Sequence, residues 1–156
     1  MDGQINAMRT APKDGASHPK RRSTDPFTVL IVDDEEAVRR FVQRVLRDAG
    51  YVTAMAADGV EALEVAQRLG SFQMIVTDLM MPQMRGDELA RRLRQIEPGL
   101  KILYLTGFSD ALFKEKVTLW EDEAFLDKPC SMKGLLEAVS LLLVGRVDAG
   151  GPSPLS

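Results

Sequence analysis

Short apolar runs alternate along this chain with stretches in which apolar residues recur at helical spacing. Val29-Leu30-Ile31-Val32 predicts a strand buried on both faces; Val38, Phe41, Val42, Val45, Leu46 and Ala49 then predict one face of a helix that stops at Gly50. Tyr51 to Ala56 forms a second apolar run. Asp58 with Glu61 has the spacing of a capping box opening a helix that carries Leu63, Val65, Ala66 and Leu69. Met74 to Thr77 predicts a third strand, followed by Leu89, Leu93 and Ile96 at helical intervals up to Pro98.

The same alternation continues to the end of the patterned region. Ile102 to Leu105 predicts a fourth strand, and Ser109 or Asp110 can cap a short helix through Leu112, Phe113 and Val117. Ala124-Phe125-Leu126 predicts a brief fifth strand, and a last helix is expected from about Ser131 to Val144, burying Leu135, Val139 and Leu142. Parallel strands need crossover connections, and right-handed crossovers place helices on both faces of the sheet. The expectation is therefore a flavodoxin-like, doubly wound α/β fold with a five-stranded parallel sheet in the order 2-1-3-4-5 and five helices.

Composition limits where that fold lies. Residues 1–26 lack periodicity and are expected to form a disordered tail, residues 27–146 the globular domain, and residues 147–156, rich in Gly, Pro and Ser, a second disordered tail. The first tail holds five basic and three acidic residues, leaving fifteen basic and nineteen acidic residues in 27–146. The domain is thus mildly acidic, and Lys20-Arg21-Arg22 is a weak electrostatic footprint, so no direct nucleic-acid binding is expected. The single cysteine, Cys130, excludes an intrachain disulfide and reads as a small unreactive residue. With no signal-peptide pattern and no apolar stretch of bilayer length, a soluble protein without membrane contact, located in the cytoplasm, is expected.

Chemistry concentrates at the predicted strand ends. Asp33 and Asp34 follow the first strand, Asp78 the third, Thr106 closes the fourth and Lys128 follows the fifth. In an open α/β sheet those carboxyl ends share one edge, and the crevice opens between strands one and three. Asp33, Asp34 and Asp78 converge there and repel one another unless a cation neutralises them. Oxygen ligands favour Mg2+ over zinc, and the one histidine, His18, lies in the tail. A carboxylate beside such a cation can act as a nucleophile toward phosphorus and form an acyl phosphate. Lys128 adds a positive charge and Thr106 a hydroxyl donor for the phosphoryl oxygens.

Five pieces now stand in order: Val32-Asp33-Asp34-Glu35, Thr77-Asp78-Leu79-Met80-Met81-Pro82 with Gly86, Leu105-Thr106-Gly107, and Phe125-Leu126-Asp127 followed by Lys128-Pro129. Across residues 27–145 they resemble the receiver domain of two-component response regulators, and Leu103 to Phe108 with Ala124 to Pro129 is similar to receivers at the C-terminal end of hybrid sensor kinases. The resemblance implies Asp78 as phosphoacceptor, Asp34 as a direct metal ligand, Asp33 as a second acidic partner often acting through water, and the Met80 backbone carbonyl as a further ligand. It implies Lys128 and Thr106 as the phosphoryl-sensing pair, a cis peptide between Lys128 and Pro129, and Phe125 as an aromatic whose rotamer tracks Thr106. Phe125 reads equally as core packing.

Bland readings stand beside these. Asp34 alone could be a helix cap, Thr106 a satisfied strand-end hydroxyl and Lys128 a solvated charge; together they gain the sharper meaning. Arg85-Gly86-Asp87 reads as a loop and helix start, and Glu121-Asp122-Glu123 as a solvated loop.

The resemblance implies a histidine kinase or histidine phosphotransfer protein as phosphodonor. With no output domain expected after Val144, signalling by protein contact is expected, with a target protein or a second copy bound through the face of the fourth helix, fifth strand and fifth helix. The chain is expected not to be a turnover enzyme, although it can autodephosphorylate. The competing readings are a pseudo-receiver scaffold and an aspartate-nucleophile phosphatase, whose second acid would stand where Met80 is.

Overall fold

A computed structural model describes residues 21–107 and 122–145. Five strands and four helices follow one another as β1 (Thr28–Val32), α1 (Glu36–Asp48), β2 (Val52–Ala56), α2 (Gly59–Leu69), β3 (Met74–Asp78), α3 (Gly86–Ile96), β4 (Lys101–Thr106), β5 (Glu123–Asp127) and α4 (Met132–Val144). The strands form one parallel sheet in the order β2-β1-β3-β4-β5, the order expected for this doubly wound fold.

The expectation of five helices is corrected: the described residues contain four. The helix placed from Ser109 or Asp110 through Leu112, Phe113 and Val117 lies outside the described residues. Parallel pairing of β4 with β5 does demand a crossover between them. That demand fixes a connection of sufficient length and not its conformation; the helix expectation rests on the capping residues and the spacing of Leu112, Phe113 and Val117.

The two faces of the sheet divide the core. Alternate residues of a strand point to opposite sides, so Leu30, Val32, Ile75, Ile102 and Tyr104 pack on one face against Ala62, Val65 and Ala66 of α2 and Leu89, Ala90 and Leu93 of α3. Val29, Ile31, Val76, Leu103 and Leu105 pack on the other against Val42, Val45 and Leu46 of α1 and Leu135 and Val139 of α4. Burial on both faces explains why β1 and β3 are continuous apolar runs rather than alternating ones. Phe41 departs from the predicted stripe: it is 38% exposed and lines a groove of about 500 Å³ with Val38, Leu105, Pro129 and Cys130.

Local signals set the helix ends. The Asp58 carboxylate accepts from the Glu61 N–H at 2.8 Å, but the Glu61 carboxylate accepts from the Ala57 N–H at 2.7 Å, one residue before the cap. Ser131 caps α4 by accepting from Gly134 N–H at 2.9 Å, and Gly145 ends that helix in the left-handed conformation. The N-cap of α1 is Glu35, without a side-chain bond, so Asp34 is not a helix cap. Among the described residues no helix is long and apolar enough to cross a membrane.

Gly86 ties α3 to the end of β3. Its N–H donates to the Leu79 carbonyl at 2.8 Å, and a Cβ at this position would collide with the Asp78 carbonyl oxygen and sit 3.1 Å from Leu79 Cα. Backbone cannot yield as a flexible side chain can. Gly86→Ala is therefore expected to destabilise the fold by about 1–3 kcal/mol in urea unfolding, whereas Gly99→Ala, where a Cβ meets nothing within 4 Å, leaves the midpoint nearly unchanged.

Candidate functional site

The residues singled out from the sequence meet at the carboxyl ends of β1, β3, β4 and β5. One carboxylate oxygen from each of Asp33, Asp34 and Asp78 lies within 4.8 Å of the others. Asp33 immediately follows β1, is fully buried, and is held by its own backbone: its N–H donates to the Ala56 carbonyl at 3.3 Å and its carbonyl accepts from an Arg39 guanidinium nitrogen at 2.6 Å. Asp34 is exposed beside it. Asp78 ends β3, is only 5% exposed, and its Oδ1 accepts from the Met80 N–H at 3.2 Å. Met80 is thereby fixed two residues beyond Asp78.

Lys128 supplies the positive charge. Its Nζ lies 2.9 Å from Asp33 Oδ2, 3.5 Å from Asp78 Oδ2 and 3.3 Å from Glu35 Oε1. The β4–β5 pairing brings it there, for the Lys128 N–H donates to the Thr106 carbonyl at 2.8 Å and the following peptide bond to Pro129 is cis. One ammonium thus faces several carboxylates. Asp33 Oδ1 accepts from Glu35 N–H at 2.9 Å, but its buried Oδ2 accepts no hydrogen bond despite the close ammonium.

The electrostatics follow from that imbalance. Removal from water, reinforced by the charge of Asp33, pushes the Asp78 carboxyl up to about 7 against the opposing pull of Lys128 and the Met80 N–H. Asp33 is also raised, chiefly by burial. Burial alone would lower the Lys128 ammonium, yet its contacts with Asp33, Asp78 and Glu35 outweigh burial and hold it above its ordinary value. Cys130, after the cis proline, has its thiol pushed up by burial, which leaves it little thiolate character. An all-oxygen cluster with a buried carboxylate oxygen that lacks a hydrogen bond fits a metal cation.

Thr106 and Phe125 stand at the other side of the site. The Thr106 hydroxyl, buried at the end of β4, donates to Asp127 Oδ1 at 3.0 Å. Phe125 packs partly buried against the core, its ring centroid 5.5 Å from that of Tyr104. Two participants escaped the sequence reading. Glu35 and Asp127 both lie inside recognised segments, yet their contacts depend on the turn after β1 and on the β4–β5 register. Thr106 and Asp127 are direct register partners, a fact that strand pairing alone could have disclosed once the register was known.

The chain belongs to the response regulator receiver domain family, whose description matches residues 29–140. It is 39% identical over 117 residues to the sensor kinase CckA of Brucella abortus, covering 74% of this chain and 12% of that protein. It is 34% identical to the response regulator receiver protein CpdR of the same organism, covering 74% of this chain and 96% of CpdR. The structure of the chemotaxis protein CheY4 of Vibrio cholerae superposes with a TM-score of 0.64 at 33% identity, over 76% of this chain and 99% of that one. Together with the aspartate cluster, these matches define a phosphoryl-accepting receiver domain.

The raised carboxyls make stability depend on pH when no metal is added. The folded value of Asp78, about 7, exceeds the ordinary 3.8, so the folded state binds its proton more tightly than the unfolded chain does. That contribution is fully present below the ordinary value and is lost as pH rises through about 7. In chelator, urea unfolding should show the protein losing on the order of 2–3 kcal/mol between about pH 5 and about pH 8. Asp78→Asn should flatten that slope.

Proposed function

We propose that Asp78 is the phosphoacceptor of this receiver, that a histidine kinase or histidine phosphotransfer protein is its donor, and that Mg2+ serves the reaction. The observation that carries this reading is the position of Asp78 Oδ2, 3.5 Å from Lys128 Nζ and inside the cluster with Asp33 and Asp34. Similarity to the sensor kinase CckA supports a kinase as partner.

In the proposed transfer, an Asp78 carboxylate oxygen attacks the phosphorus of a phosphohistidine. The new P–O bond forms as the P–N bond breaks, and the departing imidazole takes a proton. Asp33, Asp34, Asp78 and the Met80 carbonyl would hold Mg2+, which when bound would supply positive charge for the transferring oxygens. Asp33 and Asp34 orient and neutralise around that charge, while Lys128 leaves its shared position between Asp33 and Asp78 to meet a phosphoryl oxygen. The Thr106 hydroxyl donates to another. Phe125 follows Thr106, and the change reaches partners through protein contact rather than turnover chemistry.

Two measurements test this reading. Asp78→Asn should reduce label transferred from phosphorylated histidine kinases or phosphotransfer proteins by at least about 100-fold, and retained labelling would remove Asp78 as the acceptor. Magnesium should raise the thermal midpoint of the wild-type chain: saturation to about 100 times Kd is equivalent to about 2.7 kcal/mol of stabilisation. Asp34→Asn should abolish most of that rise, and a midpoint indifferent to both changes would dismantle the proposed metal site.

A further inference from the structure

We propose that Asp127 is a positioning residue that competes with a phosphoryl group on Asp78 for the single hydroxyl proton of Thr106. This inference rests on the reading of Asp78 as acceptor and of Thr106 as donor to the phosphoryl oxygens. Thr106 is 2% exposed, and its Oγ1 donates to Asp127 Oδ1 at 3.0 Å. The two residues are direct partners in the parallel β4–β5 pairing, so their side chains leave the sheet on the same face. The bond from Lys128 N–H to the Thr106 carbonyl, 2.8 Å long, fixes that register beside the site.

A threonine hydroxyl has one proton to donate. While the hydroxyl proton points to Asp127 Oδ1, Thr106 cannot donate it to an oxygen at Asp78. The two acceptors differ in setting: Asp127 is exposed at the strand end, whereas Asp78 is buried beside the Lys128 ammonium. The Asp127 bond therefore holds the Thr106 hydroxyl on Asp127 Oδ1 in the unphosphorylated chain. A phosphoryl group, more highly charged and less solvated there, draws the hydroxyl away. Part of its interaction with the protein is consumed in breaking the resting bond, so Asp127 sets how readily the domain enters its phosphorylated arrangement.

The test uses beryllofluoride with magnesium as the phosphoryl mimic and titration calorimetry on the full chain. Asp127→Ala should bind beryllofluoride about three- to tenfold more tightly than wild type. Asp127→Asn, which keeps an Oδ1 acceptor, should tighten binding less. In a Thr106→Val chain, where no hydroxyl remains to be released, Asp127→Ala should have a much smaller effect; Thr106→Ala serves the same purpose if the valine variant folds poorly. Unchanged affinity in Asp127→Ala would overturn the proposal. Equal tightening with and without the Thr106 hydroxyl would overturn it too, because simple charge repulsion would then explain the effect. Failure of the wild-type chain to bind beryllofluoride would overturn the acceptor reading, and with it the inference.

Discussion

Three carboxylates gathered within 4.8 Å at the ends of parallel strands form an arrangement that is unfavourable on its own terms. Two of them, Asp33 and Asp78, are buried, and both are displaced toward their protonated forms by loss of water. Lys128 offsets part of this charge by standing between them. The rest of the fold keeps that strained cluster in place: apolar side chains clamp β1 and β3 on both faces, so the strand ends cannot spread apart to relieve the repulsion. Such an excess of negative charge, all on oxygen, is the chemistry that suits a hard cation.

Much of this arrangement was legible in the sequence because it follows from two periodicities. Apolar runs of strand length marked the strands, helical spacing marked the helices that cover them, and their alternation pointed to a doubly wound sheet, for which the observed order β2-β1-β3-β4-β5 is a common one. Polar residues directly after those runs then had to share one edge. The helix count of five is corrected to four among the described residues; the expected helix from Ser109 or Asp110 to Val117 rested on one cap and three apolar positions and lies outside them.

What stayed hidden depended on register and turn geometry. No periodicity announces that Asp127 faces Thr106, or that Glu35 turns toward Lys128. Phe41 matched the apolar stripe of α1 yet is partly exposed at a groove beside Pro129 and Cys130, because the stripe is wider than the surface that the sheet and α4 can cover. The capping signal at Asp58 and Glu61 was sound in residue type and displaced by one residue in its return bond.

The central proposal is that Asp78, at the end of β3 in the carboxylate cluster beside Lys128, is the phosphoacceptor. Borohydride reduction of the phosphorylated protein cleaves an acyl phosphate and leaves a reduced side chain that marks the acceptor in peptide mass spectra. The account predicts the mark at Asp78, dependent on magnesium and absent without phosphodonor. A mark at Asp33, Asp34 or any other acidic residue, or phosphoryl label carried on His18 instead, would contradict it.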